Sequence, residues 1–377
     1  MNPATDEPRR PIGIRSMGTY LPSRVRGNRE VARDTGVTQE WIVERTGVRT
    51  RHAAAPHEAA SDMAASAVRA ALAAGGLDAA DLGLLVCATS TPDELGPSTA
   101  CRVQHLLGAD HAVALDVGAA CSGWLFAVKV AHDWLAAGGR ARYAAVVGVE
   151  AYSKFLDPHD RGTSVLFADG AAAAVLAPVG PHQGFTDFEF GSDGSLADSV
   201  LIPGGGSRHP ASARTLADGS HHIRMDGRTV SRFIRDVFPR LVRDALARNR
   251  LTLDDIACVI AHQPNPVLLR RLSRQLGIPD ERFVVVGDTV GNIGAASAPY
   301  ALATAAARHA LTPGDRVLIS VFGAGMTWGS ALLTWTGAPA VRIRPTSLPD
   351  EADPPASPSP TAPASTAPAP RTEQYTP

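Results

Sequence analysis

A chain of 377 residues can form one large or two medium domains, and either can bury a substantial core. Its 36 Lys and Arg balance 37 Asp and Glu to a formal charge of −1, so no global charge points to nucleic acid or a membrane surface. Cys87, Cys101, Cys121 and Cys258 are scattered, with neither a CxxC pair nor His at ligand spacing. That pattern argues against a metal site and a disulfide scaffold, and reads as a reducing, cytoplasmic compartment.

Residues 1–10 are polar, contain Pro and lack the apolar stretch of a signal peptide, and nowhere does an apolar run reach about 18 residues. A disordered N-terminus and no membrane span are expected. Residues 12–20 predict a first strand, and 28–36 and 38–45 predict short helices, the second capped by Thr38 and carrying Trp41 and Arg45 on one face. Ser61 is expected to cap a helix over 62–74, which Gly75-Gly76 stops. A buried strand over 82–88, a polar loop over 89–97 and a helix over 98–107 follow.

The next strand, 112–117, passes through Gly118-Ala119-Ala120 and presents Cys121 just before an amphipathic run over 124–135. A cysteine at a strand-to-helix elbow meets free backbone N–H groups and the positive end of the helix dipole. Both favour the thiolate and can lower its pKa below the free value of about 8.5. A free cysteine is equally often an inert, buried hydrophobe, so this stretch alone leaves both readings open.

Residues 68–90 and 242–264 align at a constant offset of 174, with identities that include Val68/Val242, Arg69/Arg243, Leu72/Leu246 and Asp81/Asp255. Each segment reads helix, turn, apolar strand, and Arg142/Arg316 open matching strands at the same offset. An internal repeat is the simplest account, with α/β halves over 11–180 and 181–336. From 337 to 377 the chain turns to Pro, Ala, Ser and Thr, too little apolar surface to offset its ordering entropy, and is expected to be a disordered tail.

Two polar groups follow strands in the second half: His262-Gln263-Pro264-Asn265 after 256–261, and Gly291-Asn292-Ile293-Gly294 after 283–286. Such strand ends are where ligand sites of α/β sheets lie. A His there also serves as a capping or core residue, and an Asn between glycines can hold a left-handed turn. Gly323-Ala324-Gly325-Met326-Thr327-Trp328-Gly329 lacks GxGxxG spacing, Gly204-Gly205-Gly206-Ser207 lacks the P-loop lysine, and no GxSxG elbow occurs.

The segments around Cys121, His262, Asn292 and Phe322 to Gly329, with 41–49, Asp160-Arg161-Gly162-Thr163 and 167–171, resemble the β-ketoacyl-ACP synthase III family of thiolase-fold condensing enzymes. The resemblance runs from about Pro11 to Trp335. It implies an α/β fold, the duplicated thiolase-like α/β/α/β/α five-layer arrangement, and a homodimer. It implies no permanently bound cofactor; CoA or phosphopantetheine thioesters are substrates, with acyl-CoA and malonyl-ACP as partners and acyl carrier protein docking.

By the same resemblance, Cys121 attacks an acyl thioester and the N–H groups of Cys121 and Ala324 hold the oxyanion. His262 and Asn292 then stabilise the charge formed when a malonyl thioester loses carbon dioxide. Trp41 and Arg161 would hold the CoA adenine, Arg45 its phosphates, and Gly227 and Asn265 the pantetheine arm. A basic docking face would use Arg232, Arg270, Arg271 and Arg274, beside Arg228 and Arg235; a solvated helix face explains these arginines equally well. Leu95 and Gly96 are expected at the acyl pocket, where Gly96 replaces a bulky aromatic of fatty-acid members. Pro264 for Ala and Val267 for Arg are further departures. They keep open a secondary-metabolism member, or an acyltransferase to a hydroxyl or amine with His262 as base. A non-catalytic partner subunit is the third alternative.

Overall fold

The computed structural model describes residues 10–139, 141–308 and 311–341. In chain order the first half contains β1 (Ile12–Tyr20), β2 (Arg24–Gly27), α1 (Asn28–Thr35), α2 (Gln39–Thr46), β3 (Thr50–Ala53), α3 (Ala60–Gly75), β4 (Leu82–Ala88), α4 (Thr99–Leu107), β5 (Val113–Val117), α5 (Gly123–Ala136), β6 (Tyr143–Ala151) and β7 (Asp169–Pro178). The second contains β8 (Gly184–Ser192), β9 (Val200–Leu201), α6 (Ala213–Ala217), β10 (Arg224–Met225), α7 (Gly227–Asn249), β11 (Cys258–Ala261), α8 (Pro266–Gln275), β12 (Phe283–Val284), α9 (Gly287–Val290), α10 (Ser297–Arg308), β13 (Arg316–Gly323) and β14 (Thr327–Thr334).

The two large sheets share one plan. The first runs β1-β7-β6-β4-β5 and the second, read from the matching edge, β8-β14-β13-β11-β12. In both, the first three strands pair antiparallel and the last three parallel. The 174-residue offset holds down to single bonds. Gly76 and Arg250 end α3 and α7 in left-handed conformations, and each donates its N–H to the equivalent carbonyls, Ala73 and Ala247. Leu77 and Leu251 then close the same cap on Leu72 and Leu246.

Both sheets bury both faces, which is why β4, β6 and β13 read as nearly continuous apolar runs rather than alternating ones. One core joins the inner faces of the sheets through α5 and α10. Separate cores lie outside, under α3 and α4 on the first sheet and under α7 and α8 on the second. The result is the five-layer α/β/α/β/α order.

Two local expectations change. α3 begins at Ala60, with the Asp62 carboxylate accepting the Ala59 N–H at 2.9 Å, while the Ser61 N–H goes to Asp93 at 3.0 Å. Ser61 is therefore inside the helix and does not cap it. Residues 337–341, assigned to the tail, cover the outer edge of β1: the Met17 N–H donates to Pro339 O (3.0 Å), the Val341 N–H donates to Met17 O, and Ala338 is buried. Composition alone cannot see an open strand edge that offers those bonds. The remainder of the tail and residues 1–9 lie outside the described residues.

Candidate active site

The parallel strands of both sheets deliver their C-terminal ends to one place. β5 ends at Val117, the chain turns through residues 120–122 with Ala120 at φ 47°, and α5 starts at Gly123. The end of β13 passes under this elbow: a Cβ on Gly323 would stand 2.8 Å from Cys121 N and 2.9 Å from Ser122 N. Glycine is thus required for the approach that sets Ala324 beside Cys121. The Thr327 hydroxyl donates to Ala119 O (3.1 Å) and the Ser122 hydroxyl to Thr327 O (3.2 Å), which ties the elbow to β14.

Cys121, His262, Asn292 and Ala324 line one cavity of about 540 Å3, together with Trp41, Arg161, Gly227 and Asn265. Apolar side chains, among them Phe167, Ile202, Ile223, Phe233 and Phe322, form most of the remaining wall. Arg45 stands outside this wall, in an adjoining groove shared with Trp41, Arg161 and Gly227. Leu95 and Gly96 are not in the cavity. They sit on the exposed surface loop between β4 and α4, with Leu95 85% exposed, so within this chain they form no acyl pocket.

The electrostatics depart from expectation at the thiol. Cys121 reaches the cavity, yet protein surrounds its sulfur; burial pushes the thiol up to about 12, the Glu150 carboxylate adds to the rise, and Tyr152 and backbone hydrogen bonds offset only part. The helix terminus does not by itself create a resting thiolate. His262 is buried against the Phe322 ring, edge to face at 5.5 Å, and burial pulls its imidazole down to about 3. It is therefore neutral at physiological pH, with one ring N–H to donate. Asn292 is buried as well, and its Oδ1 accepts the Gly294 N–H at 3.0 Å. With the oxygen so engaged, the amide presents its NH2 group to the cavity.

The Asn292 loop is held from the first half of the chain. The Asn292 N–H donates to Leu166 O (2.8 Å), and its carbonyl accepts from Ala168 (3.0 Å). One residue before Leu166, Val165 O accepts two bonds from Arg51, whose guanidinium is fully buried and also donates to Asn28 Oδ1 at 2.6 Å. On the neighbouring strand position the Thr50 hydroxyl donates to Thr289 O (2.6 Å). Among the described residues there is no group of three His, Cys, Asp or Glu able to hold a metal ion, and no helix is long and apolar enough to cross a membrane.

Residues 115–194 fit the family model for 3-oxoacyl-[acyl-carrier-protein (ACP)] synthase III, and residues 246–335 fit that of its C-terminal part. The chain is 40% identical over 326 residues to the beta-ketoacyl-[acyl-carrier-protein] synthase III of Symbiobacterium thermophilum, which covers 86% of this chain and 98% of the relative. It belongs to the β-ketoacyl-ACP synthase III family. It is equally, at 40% over 321 residues, similar to the acetoacetyl CoA synthase NphT7 of Streptomyces sp. strain CL190, covering 84% of this chain and 97% of that one. The crystal structure of 3-oxoacyl-(acyl carrier protein) synthase III from Pseudomonas aeruginosa PAO1 superposes with a TM-score of 0.79 at 37% identity, over 87% of this chain and 99% of the other.

At the mouth of this β-ketoacyl-ACP synthase III cavity, the Arg161 guanidinium lies 6.0 Å from the centre of the Trp41 ring. Thr38 caps α2 through the Trp41 N–H, so the indole stands on an anchored first turn. Asn265 has structural work that its sequence position did not reveal. Its Oδ1 caps α8 through the Leu268 N–H (2.9 Å), and its Nδ2 donates to Arg45 O (3.0 Å), joining α8 to α2. Of the arginines read as a docking face, Arg270 pairs with Asp288 (3.1 Å) and Arg274 with Asp280 (3.2 Å). Arg232, Arg235 and Arg271 are exposed, with no ion-pair partner among the described residues. Arg228, Arg232 and Arg235 line a groove on α7 next to Gly227.

Three groups at the site escaped sequence reading: Arg51, Glu150 and Tyr152. Glu150 did leave a signal, a lone carboxylate at the end of the apolar run 144–149.

Proposed function

We propose that this condensing enzyme carries its acyl group on Cys121 and joins it to a malonyl thioester by decarboxylative Claisen condensation. The observation that supports this most is the meeting of Cys121, His262 and Asn292 on one cavity wall, with Asn292 fixed as a donor. The thiol sulfur attacks the acyl thioester, and the Cys121 and Ala324 N–H groups take the oxyanion. Loss of carbon dioxide from the malonyl thioester places negative charge on its thioester oxygen. Two neutral donors, the His262 ring and the Asn292 amide, suit that charge, and neither needs to change protonation state. The resulting carbanion attacks acyl-Cys121 and releases a β-ketoacyl product.

Trp41 and Arg161 would clasp the adenine of a CoA donor, with Arg45 at its phosphates. The arginine stripe of α7 is the docking face for an acidic acyl carrier protein, since two of the α8 arginines are already paired. A homodimer fits the open edge of β5, whose residues are all partly exposed, and the exposed Val113, Val130 and Trp134 on β5 and α5. Sedimentation giving a monomer at micromolar concentration would remove that part.

Intact-protein mass spectrometry after incubation with a panel of acyl-CoAs tests the core of the reading. A thioester adduct is expected, absent in Cys121→Ala, and in Trp41→Ala formed only at about tenfold higher acyl-CoA, the worth of one stacked aromatic. Malonyl-ACP or malonyl-CoA added to the acylated enzyme should release carbon dioxide and a β-keto product. Transfer of the unaltered acyl group to an alcohol or amine would instead show an acyltransferase, and no adduct from any donor would show a non-catalytic subunit.

A further inference from the structure

A buried carboxyl that the condensation does not use lies beside the nucleophile. Glu150, at the end of β6, is fully buried. Its carboxylate receives the Ser90 N–H (3.1 Å), the Thr91 hydroxyl (3.1 Å) and the Ala295 N–H (3.3 Å), so the loop after β4 and the 294–296 turn converge on it. Two residues on, the Tyr152 hydroxyl stands 3.9 Å from Cys121 Sγ, at the edge of sulfur hydrogen bonding, and shares the cavity wall with it. Tyr152 is buried and braced edge to face on Phe167 at 4.9 Å. The carboxyl and the hydroxyl crowd the same spot: a Cβ on Gly294 would be 2.6 Å from both Glu150 Cγ and Tyr152 Oη.

We infer that Tyr152 and Glu150 form the proton path that activates Cys121: the Tyr152 hydroxyl takes the thiol proton while passing its own to the Glu150 carboxylate. The inference rests on acyl transfer to Cys121 as the reaction served. In balance, the S–H bond breaks as the sulfur lone pair forms the S–C bond to the acyl thioester, and the carbonyl π pair moves to oxygen. Collapse restores the carbonyl and expels the CoA thiolate. That thiolate recovers the proton from Glu150 through Tyr152 and leaves as CoA–SH, with Glu150 ionised again.

The environment suits the role. Burial raises the Glu150 carboxyl to about 8, and the hydrogen bonds from Ser90, Thr91 and Ala295 hold it there rather than higher, which poises it as a base near neutral pH, with the Tyr152 hydroxyl crowded against the same Gly294 position. The groups facing it are Cys121 from the elbow, Tyr152, and Cys87 from β4, with Asp116 of β5 and Asp93 behind Cys87. His262 faces the cavity from the end of β11, neutral, while Ser90, Thr91 and Ala295 bring no charge. The cation on the cavity wall is Arg161, at the mouth. A long hydrogen bond in the free enzyme is expected to shorten once a substrate fills the cavity.

The test measures two rates against pH on the full chain: acylation by acetyl-CoA in a single turnover, and alkylation of Cys121 by iodoacetamide, resolved by peptide mass spectrometry from exposed Cys101. The wild-type alkylation rate should rise through an inflection near pH 8 to a plateau. In Tyr152→Phe the inflection should vanish, with a loss of at least tenfold at pH 8 that shrinks as pH rises. Glu150→Gln should behave alike; if it fails to fold, the phenylalanine variant, which keeps the ring packing, decides alone. A Tyr152→Phe profile of wild-type shape, whether at full rate or lowered equally at every pH, overturns the inference. Because alkylation needs no acyl donor, it reads the proton path even if no acyl adduct forms, an outcome that would count against the acyl-Cys121 reading instead.

Discussion

Replacing Asn292 by aspartate should slow malonyl-thioester decarboxylation by at least 10²–10³-fold, about 3–4 kcal/mol, the worth of one oxyanion donor, while acylation of Cys121 proceeds near the wild-type rate. The choice of aspartate follows from the geometry. Asn292 Oδ1 accepts the Gly294 N–H at 3.0 Å, and a carboxylate keeps that acceptor, so the loop and the elbow beside it retain their support. What changes is the other arm, where a donor gives way to a negative oxygen facing the negative charge of the developing enolate. Asn292→Ala should lose the same donor but also strand the Gly294 N–H, at a further cost of about 1–3 kcal/mol in stability. Carbon dioxide release and acyl-adduct formation, followed on the same samples, separate the steps. Equal loss of both rates in Asn292→Asp would show that Asn292 supports the site as a whole.

Gly294→Ala should destabilise the protein by about 2–5 kcal/mol and remove most condensation activity, read by urea unfolding and by turnover. Two costs combine. The position has φ 49°, a left-handed conformation that costs an L side chain about 1–2 kcal/mol, and its Cβ would press on Glu150 and Tyr152 at 2.6 Å, overpacking of about 1–3 kcal/mol. Gly36→Ala is the control. It shares the left-handed conformation, φ 71°, with nothing within 4 Å of the new methyl, so only the first cost should appear. If the two variants were equally stable, the contact of the 294–296 turn with Glu150 and Tyr152 would not be tight.

Much of this was legible from residue order. The strands at 12–20 and 82–88 follow from their apolar runs, and the 174-residue offset appears again in the matched strand orders and helix caps. Cys121, His262 and Asn292 could be singled out because each follows an apolar strand, and the sheets bring those ends together. The state of the thiol could not be read. Sequence locates a helix N-terminus but not the number of atoms packed around the sulfur, and at Cys121 burial wins. Tyr152 was invisible for a related reason, since no periodicity says which side chain past the end of β6 curls back toward the elbow. The short strands β9 and β10, which wall the cavity through Val200, Leu201 and Met225, lie in a segment whose glycines and polar residues read as loop.

The matched halves also bear on how the enzyme treats negative charge. The offset that aligns the sheets carries Cys121 onto Ala295, so both residues stand in a short turn just ahead of an inner-layer helix. The Ala295 N–H is spent on a carboxylate of the protein itself, Glu150. Its counterpart, the Cys121 N–H, is the one we assign to the transient oxyanion of the reaction. The same kind of turn thus appears twice, once with its N–H turned on an acidic side chain of the protein and once with its N–H left for the reaction.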